Sequence, residues 1–215
     1  KEYLQNEAQA FAQLSQTTQS KNLQHVFFLT DHAKKVDKNK EISPVNRGAV
    51  LGAGTMGGGI AWLLAEQNLY PVMKDINKSG LELGLKQAAQ NFKSALKRKK
   101  ISEDDYARKM SSITPTVNFE NFRSVDLVIE AIVEDMNLKK KVFKEVEGYV
   151  SQQCLLTSNT SSLSVAEMAS ILSHPDRFAG LHFFNPVHKM PLVEIITHDK
   201  VSDKTIESLY QWRSE

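Results

Sequence analysis

The chain has 215 residues, with 27 Lys and Arg against 25 Asp and Glu, a formal charge of +2. This near-balance excludes a protein held to nucleic acid or to a membrane surface by bulk charge, and one cysteine, Cys154, excludes a disulfide framework. No apolar run reaches the roughly 18 residues of a membrane span, and the first residues, Lys1 to Gln5, carry no secretion-signal pattern, so a cytoplasmic setting is expected. The chain begins with Lys and stops at Glu215, just after the apolar and aromatic stretch Ile206, Leu209, Tyr210, Trp212, and reads as a fragment of something longer.

Residues 1–30 are rich in Gln, Ala and Leu, and place Ala8, Phe11 and Ala12, then Leu23, Val26 and Phe27, at spacings of one helical face. Two short helices are expected there. From Asp31 to Pro44 there are four lysines and few large apolar residues, which reads as a solvated connector, and residues 1–44 together form a helical connector. Beyond residue 45 apolar runs of strand length alternate with helix-length segments: Gly48–Gly52, Pro71–Ile76, Ile113–Val117, Val125–Ala131, Leu155–Ser158, Phe178–Phe184 and Leu192–Thr197. Such alternation predicts an α/β fold, a Rossmann-type doubly wound, mostly parallel sheet, over residues 45–200. The stretch from Lys78 to Met110 is long enough for an inserted helical hairpin; its basic run Lys97–Lys100 reads first as a solvated helix end, and second as a contact to a polyphosphate substrate.

Ala49-Val50-Leu51 runs into Gly52-Ala53-Gly54-Thr55-Met56-Gly57 and then into a helical segment. Each glycine answers a separate demand: Gly52 the tight turn, Gly54 the close approach of backbone to a pyrophosphate, Gly57 the packing of helix on strand. The next strand ends in Asp75, about 20 positions on, where a ribose 2′-hydroxyl needs an acceptor, so turn and acid together favour NAD over NADP. Lys74 and Lys78 flank Asp75 and keep a 2′-phosphate in consideration.

Two polar residues interrupt later apolar strands. His182 lies in Gly180-Leu181-His182-Phe183-Phe184-Asn185-Pro186, and Glu194 in Leu192-Val193-Glu194-Ile195-Ile196. An ionised Glu buried among branched apolar side chains demands a partner. The strands are consecutive, so the two side chains are expected to face each other, with the carboxylate favouring a charged ring and fixing which nitrogen holds the proton. This makes His182 a competent base for an alcohol proton; alone it would read as a hydrogen-bonded core histidine. In Thr157-Ser158-Asn159-Thr160-Ser161-Ser162-Leu163-Ser164-Val165-Ala166-Glu167, Ser164 and Glu167 read as a capping box. Asn159 and Ser161 remain, at a strand's carboxyl end where cofactor and substrate meet.

Gly52-Ala53-Gly54-Thr55-Met56-Gly57, Ser158-Asn159-Thr160-Ser161 and His182-Phe183-Phe184-Asn185-Pro186-Val187 resemble the NAD-binding domain of 3-hydroxyacyl-CoA dehydrogenases, over about residues 46–200. The segment before it resembles the connector that follows the enoyl-CoA hydratase/isomerase part of bacterial multifunctional α-subunits. The resemblance implies NAD-dependent oxidation of an L-3-hydroxyacyl-CoA in fatty-acid β-oxidation. His182 is then the catalytic base, Glu194 its carboxylate partner, Ser161 the hydrogen-bond donor to the substrate 3-oxygen, and Asn185 a residue near the thioester. Asp75 becomes the adenosine-ribose acceptor, with Glu134 and Lys139 as cofactor-side contacts; from the residues alone those two read as ordinary helix-start and helix-surface chemistry. Residues 201–215 correspond to the start of a helical domain that closes over the acyl-CoA, and a thiolase subunit is implied as partner of the longer protein. A non-catalytic NAD-binding or structural module, and a dehydrogenase of a small 3-hydroxy acid, stay open as alternatives.

Overall fold

The computed structural model describes residues 2–33 and 42–214. The backbone divides into two compact units, residues 1–39 with 214–215, and residues 40–213. In the first, α1 (Glu2–Ser15) and α2 (Thr18–Ala33) are the two expected helices; α1 buries none of its residues. Most of the expected connector falls at residues 34–41, outside the described residues.

The second unit runs β1 (Gly48–Leu51), α3 (Thr55–Glu66), β2 (Val72–Lys74), α4 (Lys78–Lys97), α5 (Glu103–Ser111), β3 (Thr114–Thr116), β4 (Leu127–Glu130), α6 (Met136–Val146), β5 (Leu155–Ser158), α7 (Val165–Ala169), β6 (Phe178–Phe183), β7 (Val193–Ile196) and α8 (Asp203–Ser214). The strands form one sheet in the order β3-β2-β1-β4-β5-β6-β7. All neighbours are parallel except β6 and β7. All seven expected strands are present, most trimmed by a residue or two at their ends, and α4 and α5 form the inserted hairpin. The run Lys97–Lys100, all exposed, forms the end of α4 and its cap, with the Arg98, Lys99 and Lys100 N–H groups bonded back to carbonyls of the last turn.

The central strands are apolar throughout because both faces are covered. Alternate residues enter separate clusters: Val50, Leu127, Ile129 and Leu155 pack with Ile60 and Leu64 of α3 and Phe92 of α4. Ala49, Leu51, Val128 and Leu156 pack with Phe143 and Val146 of α6 and Met168 of α7. The last helix, α8, belongs to this body: Leu209 and Trp212 are buried in the α3-side cluster. The strand order reverses between β1 and β4, and at such a switch point the carboxyl ends of the strands open a ligand crevice.

Candidate active site

The glycine turn lies at that switch point. Gly52 has φ +91°, a left-handed conformation that a side chain would strain. A Cβ on Gly57 would stand 1.8 Å from the Gly52 carbonyl oxygen, so α3 can sit against β1 only without one. Gly54 differs: a Cβ there would meet nothing within 4 Å. Among the described residues no packing requires Gly54 to be bare, and it lines a cavity of 430 Å³ together with Gly52, Lys74, Asp75, Phe119 and Ile132. Gly54 caps α3 without a side-chain hydrogen bond, leaving first-turn N–H groups for an anion. Asp75 is fixed against the turn, accepting from the Ala53 N–H at 2.8 Å and the Asn77 N–H at 3.3 Å. Gly80 makes room for it, since a Cβ there would lie 2.5 Å from the Asp75 carboxyl carbon.

A second cavity, of 340 Å³, opens beyond Ala131 and Ile132, which line both. Met56, Glu134, Asn159, Ser161, His182 and Asn185 face it. Thr55, Gly57 and Lys139 line neither cavity. An apolar chamber with an acid at its rim, a bare anion-binding turn, and a chamber of mixed polar and apolar lining follow one another along the crevice. That sequence fits an adenosine half, a pyrophosphate and a nicotinamide half of a dinucleotide.

His182 and Glu194 are directly paired in the antiparallel register of β6 and β7, and Nδ1 lies 2.8 Å from the Glu194 Oε2. An ionised carboxylate only accepts, so Nδ1 carries a proton, and in the neutral ring Nε2 is the nitrogen with the lone pair. The imidazole side chain is 17% exposed and packs against the Phe184 ring at 4.6 Å. Asn159 braces the strand beside it, its Oδ1 accepting from the Phe183 N–H at 2.8 Å. One expectation is corrected: the Glu194 side chain is 50% exposed, not buried. β7 is the edge strand, and among the described residues no further strand pairs with its outer side.

The fully buried carboxylate is Glu130, at the end of β4, which sequence reasoning missed. Its Oε1 accepts from Lys139 Nζ at 2.6 Å and the Ile132 N–H at 2.8 Å, and its Oε2 from the Ser158 hydroxyl at 2.6 Å. Lys139, read as helix surface, is 1% exposed, with its ammonium also 3.2 Å from Glu134. The available signal was a carboxylate within an apolar strand, which requires a nearby cation. Burial pushes the Glu134 carboxyl up, but the Thr160 hydroxyl, Lys139 and the Ser161 N–H outweigh it and hold the group below its ordinary value. At the next helix the capping box is half formed: the Ser164 hydroxyl accepts from the Glu167 N–H, while the Glu167 carboxylate turns to Lys140 at 2.6 Å.

The family model for the 3-hydroxyacyl-CoA dehydrogenase NAD binding domain matches residues 48–215. The fatty acid oxidation complex subunit alpha of Psychrobacter arcticus is 43% identical over 202 residues, covering 93% of this chain. That of Psychrobacter cryohalolentis is 43% identical over 204 residues, covering 94%. The chain spans only 28% of the length of either relative. Among solved structures, the (S)-3-hydroxybutyryl-CoA dehydrogenase of Ralstonia eutropha is 36% identical with TM-score 0.75, over 80% of this chain and 62% of that one. The 3-hydroxybutyryl-CoA dehydrogenase of Escherichia coli K12 is 33% identical with TM-score 0.77, over 80% and 36%.

Proposed function

The chain belongs to the 3-hydroxyacyl-CoA dehydrogenase family, matching its NAD-binding domain, and we propose that within a longer protein it oxidises L-3-hydroxyacyl-CoA to 3-oxoacyl-CoA. The observation that carries this reading is the His182–Glu194 pair, 2.8 Å apart, with His182 lining the second chamber beside the glycine turn. Nε2 of His182 accepts the proton of the 3-hydroxyl group. Glu194 holds the ring in the required tautomer and stabilises the imidazolium as it forms, with an effect moderated by its exposure. Ser161, in the same chamber, donates to the developing 3-carbonyl oxygen, and Asn185 contacts the thioester end. Asp75 accepts from the adenosine ribose; Glu134 and Asn159 meet the nicotinamide half, and Lys139 acts through the Glu134 carboxylate that it pins. Bound NAD supplies the hydride acceptor, chemistry that the fold positions and does not itself perform.

In this reading residues 1–44 join the domain to a preceding hydratase/isomerase part, residues 45–200 are the NAD-binding domain, and residues 201–215, whose α8 packs on that domain, lead into a helical domain. The parent works in the cytoplasm in fatty-acid β-oxidation, with a thiolase subunit as its partner. Support for the fatty-acid oxidation part of this reading comes from the names of the Psychrobacter relatives, each a fatty acid oxidation complex subunit alpha. The test is the longer parent carrying His182→Gln, assayed by NADH formation from L-3-hydroxybutyryl-CoA. A fall in kcat of about 10²–10⁴-fold with unchanged NAD affinity is expected; full activity in the variant refutes the base.

A further inference from the structure

The adenosine-side cavity contains a cation that the proposed reaction does not use. Lys74 ends β2 one residue before Asp75 and lines the same cavity, together with Lys141 and Glu145. A free ammonium there would attract the 2′-phosphate of NADP and blunt the preference that Asp75 imposes. Yet Lys74 makes no ion pair with Asp75 or any other carboxylate among the described residues; its Nζ instead sits over the Phe119 ring, 4.4 Å from the centroid. That is well inside the range of a cation–π contact. The ring itself is held. Phe119 is 8% exposed, stacks on Tyr149 at 4.8 Å with a 16° interplanar angle, and meets Phe122 edge-on at 5.0 Å. The fixed partner is the ring, and the restrained one is the long, otherwise mobile lysine.

We propose that Phe119 is a specificity-determining residue for the cofactor: its face holds the Lys74 ammonium, leaving the 2′ position governed by the Asp75 carboxylate. This rests on the NAD-binding reading of the cavity. Releasing the lysine frees a cation for a 2′-phosphate and favours NADP over NAD. Lys78, the first residue of α4 and exposed, makes no such ring contact among the described residues.

The test is titration calorimetry of the 215-residue chain with NAD and with NADP, for the wild type, Phe119→Leu, Lys74→Met and the double variant. Leu keeps apolar bulk and removes the π face; Met keeps the apolar stem and removes the charge. In Phe119→Leu the ratio of NADP to NAD affinity is expected to rise roughly three- to tenfold, the equivalent of a cation–π contact. In Lys74→Met it stays within twofold of wild type, and in the double variant the gain disappears. NAD binding with a ratio unmoved by Phe119→Leu overturns the latch alone. A wild-type chain that does not bind NAD overturns the cofactor reading and the latch with it. If Phe119→Leu does not fold, Lys74→Met decides: a ratio within twofold supports the restraint, and a tenfold loss of NADP affinity refutes it.

Discussion

Removing the Glu130 carboxylate tests how the floor of the crevice is held. The group is 0% exposed and answers three donors, Lys139, Ser158 and the Ile132 N–H. Breaking a buried ion pair from one side costs about 3–5 kcal/mol, because the remaining charge is left without its counter-ion. Here the Glu134 carboxylate, 3.2 Å from the same ammonium, compensates part of that charge, while the orphaned Ser158 hydroxyl and Ile132 N–H add to the loss. The two corrections oppose each other, so Glu130→Ala is expected to lose about 4 kcal/mol. Glu130→Gln keeps the shape and most hydrogen bonds and loses about 2. Lys139→Met leaves the carboxylate uncompensated and loses about 3; combined with Glu130→Gln, it costs less than the sum by about 1–3 kcal/mol, since the double variant buries no charge. Urea unfolding at neutral pH, with the m-value checked for constancy, measures all four. A loss below about 1 kcal/mol for Glu130→Ala, or strict additivity in the double variant, would refute the reasoning.

The glycines separate packing from binding. Gly57→Ala drives a Cβ into the Gly52 carbonyl and is expected to lower stability by more than about 2 kcal/mol and abolish NAD binding. Gly54→Ala meets open space and should leave the thermal midpoint in place while weakening NAD at least tenfold, by calorimetry. Burial pushes the Glu147 carboxyl up, but the Ser173 and His174 N–H groups and Arg177 outweigh it and hold it below its ordinary value. A depressed folded-state value gives stability that is present above the unfolded value of about 4.3 and is lost as pH falls through the folded one. Glu147→Gln should therefore lower stability at pH 7 and flatten its decline below about pH 4; an unchanged acid limb would contradict this. Burial pushes the Cys154 thiol up to about 12, so a thiol reagent should label it only as fast as the chain unfolds.

Much of this architecture is written in local patterns. The strands are legible because a sheet covered on both faces demands unbroken apolar runs, and the glycine turn because its conformational requirements are local. The His182–Glu194 alignment is legible because two consecutive strands joined by a turn must pair. What sequence reasoning misjudged depends on position in the sheet. Glu194 lies in an apolar run like those of the centre, and only the strand order reveals β7 as an edge. Lys139 sits in a run of three lysines on a helix start, and nothing local distinguishes the one that turns inward from Lys140, which pairs with Glu167 outside. Glu130 was hidden for the complementary reason, as the last residue of a strand whose other positions all obey the apolar rule. Ser161 and Glu134 come together only through the packing of the β5 and β4 ends, where the Ser161 N–H donates to the Glu134 carboxylate at 3.2 Å.

The most direct test of the catalytic assignment is a crystal structure of this chain grown with NAD. The expected result is adenosine against Asp75, pyrophosphate at Gly54, and the nicotinamide ring in the chamber of Met56, Asn159 and Ser161, beside an imidazole still bonded to Glu194. A nicotinamide ring outside that chamber, or His182 turned away from it, would contradict the proposed proton transfer.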